Sequence, residues 1–126
     1  NKGSTEIGRK EVQYRQIKEQ LHKLKLGIGL DIDEAELNYQ QALKRRSVTD
    51  KVVEVARESA ELSRERFNVG VILSSDLLDT EVRLTDTLVR QAAAHANYQI
   101  AVANLRRAAG YQQFETTTEA LLETQP

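Results

Sequence analysis

The chain has 126 residues, enough for one domain, and 29% of them are charged while only 5% are aromatic. Two Phe and four Tyr, with no Trp or Met, leave little bulk for a compact core. The 18 basic and 19 acidic residues are well mixed at a net charge of -1, so no basic block points to nucleic acid and no acidic tail is present.

The absence of cysteine excludes disulfides and thiolate metal sites and leaves periplasm and cytosol equally open. No signal peptide is visible. The longest apolar run, Val69 to Leu73 broken by Gly70, falls far short of the roughly 20 residues that span a bilayer. Abundant Gln, Glu, Ala, Leu, Arg and Lys on a helical period indicate long helices or coiled coil.

Residues 1–7 look unlike the rest and are expected to be a disordered or cloning-derived lead-in. A first helical arm is expected over about 8–68. Its apolar stripe runs Val12, Ile17, Leu21, Leu24, Ile28, Ile32, Ala35, Tyr39 and Ala42, with gaps mostly of three and four. The stripe blurs at Lys44-Arg45-Arg46 and resumes at Val48, Val52, Ala56, Ala60 and Phe67. Gly27 and Gly29 each cost about 1 kcal/mol against Ala in a helix interior. They are read as a soft spot on a continuous, curved helix, with a bend or a close helix approach as the alternative.

The segment Arg66 to Thr80 is the turn. Gly70 can take positive φ at the end of the first arm, and Ser74 or Ser75 can cap the second, with Asp76 and Asp79 in its first turn. The second arm, about 75–109, carries the stripe Leu78, Val82 or Thr85, Leu88, Ala92, His95/Ala96, Gln99, Val102, Leu105 and Ala109. Ala92, Ala93, Ala94 and Ala96 allow close approach to a neighbour. Arg106 and Arg107 suit a last turn, with Gly110 as C-cap, and 111–126 reads as an irregular tail.

The fold class is therefore all-α, a long antiparallel coiled-coil hairpin over 8–110 with unequal arms. Paired residue by residue, the second arm ends opposite about 34–38. Val12, Ile17, Leu21, Leu24 and Ile28 are then left without a partner, although burying each large aliphatic side chain is worth roughly 1.5–3 kcal/mol. Another chain or a further helix must cover them, which predicts an oligomer or a piece of a larger protein.

Four motifs, in order and at the right spacing, resemble the TolC-type outer-membrane efflux family. They are Ile28-Gly29-Leu30-Asp31-Ile32-Asp33-Glu34-Ala35, the turn Arg66-Phe67-Asn68-Val69-Gly70-Val71, Asp76-Leu77-Leu78-Asp79, and Leu105-Arg106-Arg107-Ala108-Ala109-Gly110. The likeness covers roughly 8–110, and the ending looks more like the second of the family's two hairpin repeats. Glu36 stands where the family often carries an aromatic residue.

The resemblance implies a periplasmic segment of an outer-membrane protein in a Gram-negative envelope. It would be a passive tunnel wall of a trimeric duct, with no membrane contact of its own. The partners implied are other copies, a periplasmic adaptor docked at the hairpin tip, and through it an inner-membrane pump.

Carried over, docking falls on Val69, Gly70 and Val71, and entrance or gating contacts fall on Phe67, Asp76 and Asp79. The plainer reading of Gly70 is a helix cap, and of the two aspartates a pair of first-turn carboxylates worth about 0.3–1 kcal/mol each. A tip showing Val69, Val71, Ile72 and Leu73 is more apolar than a solvated turn should be, which favours binding. Phe67 lacks a gating hydroxyl, and Ile72 stands where the best-known member has an arginine in its second repeat, so the gate is the weaker assignment.

No catalytic constellation, cofactor motif or metal site is expected. His22 and His95 are lone, and Asp31/Asp33/Glu34 lack the glycine and spacing of an EF-hand. An adaptor-protein hairpin and a generic coiled-coil scaffold are the alternatives. The Val-Gly-Val tip and the unequal arms count against the adaptor.

Overall fold

The computed structural model describes residues 2–124. It is all-α, with α1 at Lys2–Asn68 and α2 at Ser74–Glu123. Contacts divide the chain into two units. One is a closed helical hairpin over Glu36–Asn104. The other sets the chain up to Ala35 beside the chain from Leu105 onward.

In the hairpin unit, α1 turns inward Tyr39, Ala42, Arg46, Thr49, Val53, Ala56, Ala60 and Ser63, all buried or half-buried. Their gaps alternate three and four, an unbroken heptad seam. α2 answers with Leu77, Thr80, Leu84, Leu88, Gln91, Ala94, Tyr98 and Ala101. Small residues line much of this seam: of its five buried apolar residues described, Ala60, Ala94 and Ala101 are alanines, the others being Val53 and Leu84. Helices faced with alanine come close, but they bury little area per residue. The larger aliphatic side chains mostly lie outside.

The stripe expected for α2 holds at Leu88, His95, Val102 and Leu105, all half-buried, and misses by one position near the turn. Leu78 and Val82 are exposed, while Leu77, Glu81 and Leu84 face inward. On α1 the same shift occurs at Val48 and Val52: Val52 is 45% exposed whereas its neighbour Val53 is 4% exposed. One residue is a rotation of about 100° on a helix, so at these positions the expected stripe follows an outer apolar face, whereas at Tyr39, Ala42, Ala56 and Ala60 of α1 it coincides with the shared seam. The apparent blur at Lys44-Arg45-Arg46 also resolves. Arg46 continues the seam by laying its guanidinium over the Tyr98 ring, 4.7 Å from the centroid, and Tyr98 in turn lies 5.8 Å from Tyr39. The Tyr98 phenol beside it holds the Tyr39 hydroxyl above its ordinary pKa.

In the other unit, Ile28, Ile32 and Ala35 of α1 and Leu105 and Ala108 of α2 are buried or half-buried. A Lys25–Glu119 ion pair extends the contact. The expected C-cap at Gly110 and irregular tail from Tyr111 do not occur: α2 runs on to Glu123. Gly70 is the only described glycine with positive φ, so Gly110 sits in ordinary helical backbone. Thr116, Thr117 and Thr118 donate their hydroxyls to the carbonyls of Gln112, Gln113 and Phe114 at 2.9–3.0 Å, so the threonine run is accommodated within the helix.

The lead-in is likewise helical from Lys2, while Asn1 lies outside the described residues. The longer α2 brings half-burial to Ile28, which was expected to lack a partner. Val12, Ile17, Leu21 and Leu24 remain exposed. The helix passes through Gly27 and Gly29 without interruption, and a Cβ at either would meet nothing within 4 Å. No close approach demands these glycines.

Candidate docking site at the helical turn

The turn is held by its own backbone. Gly70 has φ of 77°. Its N–H donates to the Phe67 carbonyl at 3.0 Å, and the Val71 N–H donates to the Arg66 carbonyl at 2.9 Å. These are the two bonds of a Schellman motif, in which a residue in the left-handed region lets the chain satisfy the last carbonyls of a helix. A side chain at this φ strains the backbone, which is why glycine closes α1.

The start of α2 differs from expectation. The serines do not cap it. The Leu73 carbonyl accepts from Asp76 N–H at 3.1 Å and Leu77 N–H at 3.2 Å, so Leu73 is the N-cap. Asp76, three residues on, returns its Oδ2 to the Leu73 N–H at 3.2 Å. This is half of a capping box, the half in which an acidic third residue reaches back to the cap backbone. Ile72 and Leu77 flank the cap and are both half-buried, as a hydrophobic staple requires.

Below the turn two polar clasps close the helix pair. Ser63 and Thr80 hydroxyls lie 3.1 Å apart, and Arg64 grips Glu81 through two bonds, Nε to Oε1 at 2.6 Å and Nη2 to Oε2 at 3.0 Å. The Arg64 guanidinium holds the Glu81 carboxyl below its usual range, and the carboxylate raises Arg64 in return. Further down, Asp50 Oδ1 accepts from Gln91 Nε2 at 2.9 Å and lies 2.8 Å from His95 Nε2. These two bonds, Gln91 first, hold Asp50 below its ordinary pKa. The lone His95 of the sequence thus has a partner across the seam.

The expected docking residues fall together on the closed turn: Val69 is 74% and Val71 is 69% exposed, with Gly70 between them. Leu73 joins them at 71%, whereas Ile72, expected on the surface, turns partly inward. The expected entrance residues separate. Phe67 is exposed at the end of α1, Asp76 is engaged in the cap, and Asp79 lies exposed one turn further along α2. Sequence reading missed Leu73 as cap. The signal was the spacing Leu73 to Asp76, that of a capping box with no oxygen at its first position. Among the described residues, no group of three or more His, Asp or Glu converges as a metal site, and no helix is long and apolar enough to cross a membrane.

Two long helices, an alanine-rich seam and an apolar turn closed by Gly70 define a helical hairpin. The chain belongs to the outer membrane efflux protein family, whose model matches residues 3–111. That family consists of outer-membrane transport channels. Comparison with curated proteins and with solved structures finds no significant match.

Proposed function

We propose that this chain is a periplasmic wall segment of a trimeric outer-membrane efflux duct. It is a passive conduit, and its turn docks a periplasmic adaptor of a tripartite pump whose inner-membrane component supplies the work. The observation that carries the docking is the turn itself. Val69 and Val71 are largely exposed on a backbone locked by Gly70, so apolar contact area is presented with little entropy left to lose on binding. Phe67, Asp76 and Asp79 stand at the tunnel entrance in this reading.

The outer faces support the wall. Within the hairpin unit α1 carries Val48, Val52, Val55 and Leu62, and α2 carries Leu78, Val82 and Val89, all exposed and spaced by four, three or seven. Each helix therefore has a second apolar heptad stripe beside the one it spends on its partner. A shallow groove of about 480 Å³, with Val52, Val55 and Ala56 on one side and Thr80 and Thr87 on the other, lies between the two helices. Helices with two such faces need neighbours on both, as in a wall built of many helices.

The test is adaptor binding by the full chain with Val69 and Val71 both replaced by Asp. Affinity falls at least tenfold while far-ultraviolet circular dichroism is unchanged, because both side chains are exposed. Unchanged affinity would refute the docking assignment.

A further inference from the structure

We propose that Leu73 is a third docking residue of the turn and that Asp76 is the positioning residue that holds it there. The inference rests on the docking reading above and extends it. Leu73 occupies the N-cap of α2, a position where Ser, Thr, Asp and Asn are strongly preferred and Leu is among the poorest choices. Two serines follow directly, at Ser74 and Ser75, so a favourable cap lay one residue away. The chain instead places a 71% exposed Leu at the cap.

A large apolar side chain that neither caps the helix nor enters the seam breaks the local rule with no gain inside this chain. Such breaks mark functional positions. The neighbouring apolar residue, Ile72, is half-buried, so Leu73 is the one that extends the exposed surface of Val69 and Val71.

What keeps Leu73 in place is the cap. Gly70 and its two backbone bonds fix Val69 and Val71 but do not reach Leu73. Its N–H is held by the Asp76 carboxylate, and its carbonyl by the first turn of α2. Asp76 thus sets the backbone that aims Leu73 without being part of the apolar contact. The partner surface it fits is apolar and matches a patch of three aliphatic side chains, two on the Schellman turn and one on the cap.

The experiment is a double-mutant cycle on the full chain, read by affinity for a purified periplasmic adaptor and by thermal unfolding. Leu73→Ser weakens binding about five- to tenfold while the melting temperature holds or rises, since Ser is the better cap. Asp76→Ala weakens binding by a similar factor, and the double variant is no weaker than Leu73→Ser, because Asp76 acts through Leu73. Asp76→Glu, which keeps an acceptor at the third position, restores most of the affinity.

If Leu73→Ser binds as the native chain while the Val69/Val71 aspartate variant does not, the Leu73 inference is wrong and the docking reading stands. If neither variant weakens binding, both are wrong. Additive losses from Leu73→Ser and Asp76→Ala would overturn the positioning role.

Discussion

Replacing glycine by alanine should act with opposite sign at Gly70 and at Gly27 or Gly29, although the space around all three is the same. A Cβ at any of them meets nothing within 4 Å, so crowding contributes to none of the effects. Only the backbone differs. Gly70 sits at φ of 77°, where an L-residue costs about 1–2 kcal/mol; the smaller unfolded-state entropy of Ala returns about 0.4–1. The net expectation at Gly70 is a loss of about 1 kcal/mol.

Gly27 and Gly29 lie in continuous helix, where Ala is favoured by roughly 0.5–1 kcal/mol. Gly27→Ala and Gly29→Ala should each stabilise by that amount. The two sites therefore differ by about 2 kcal/mol for one chemical change. Urea unfolding followed at 222 nm measures it, and Gly70→Asn provides a check because Asn tolerates the left-handed region better than Ala. A neutral or stabilising Gly70→Ala, or a destabilising Gly27→Ala, would refute the backbone account.

Three further outcomes follow from the packing. Val53→Ser should cost about 2 kcal/mol or more and Val52→Ser less than about 0.5 kcal/mol, which reads the seam register by unfolding of single variants one residue apart. Asp50 has a folded pKa below its unfolded value, so its contribution is complete above the ordinary carboxylate range and is lost as pH falls through the lowered value. Melting temperature against pH should therefore drop less steeply below about pH 4 in Asp50→Asn than in the native chain. The exposed Ile17, Leu21 and Leu24 should drive self-association, and replacing all three by Gln should lower the light-scattering mass toward that of a monomer; a native chain that is already monomeric when concentrated would contradict the covered-stripe argument.

The helical class, the turn at Gly70 and the apolar stripe left exposed at Val12, Ile17, Leu21 and Leu24 are legible in the residues alone. Each depends on local chemistry: a period of three and four, a glycine after the last helical turn, and more apolar surface than two helices can share. The turn's exposed valines are legible for the same reason, since short apolar residues beside a cap glycine have no helix face to enter.

Tertiary structure decided which of two adjacent apolar stripes became the internal seam. Leu77 and Leu78, or Val52 and Val53, are equivalent to any local pattern, and the choice between them rests on which face the opposite helix covers. It also decided that Arg46 belongs to the seam, because a ring at Tyr98 stands across from it, and that His95, already on the expected stripe, meets the Asp50 carboxylate. Gly110 looks like a stop when read along the chain. It is passed through because nothing locally demands positive φ and α1 lies alongside, with Lys25 paired to Glu119 beyond it. Periodicity is a property of one helix, whereas the identity of its buried face is a property of two.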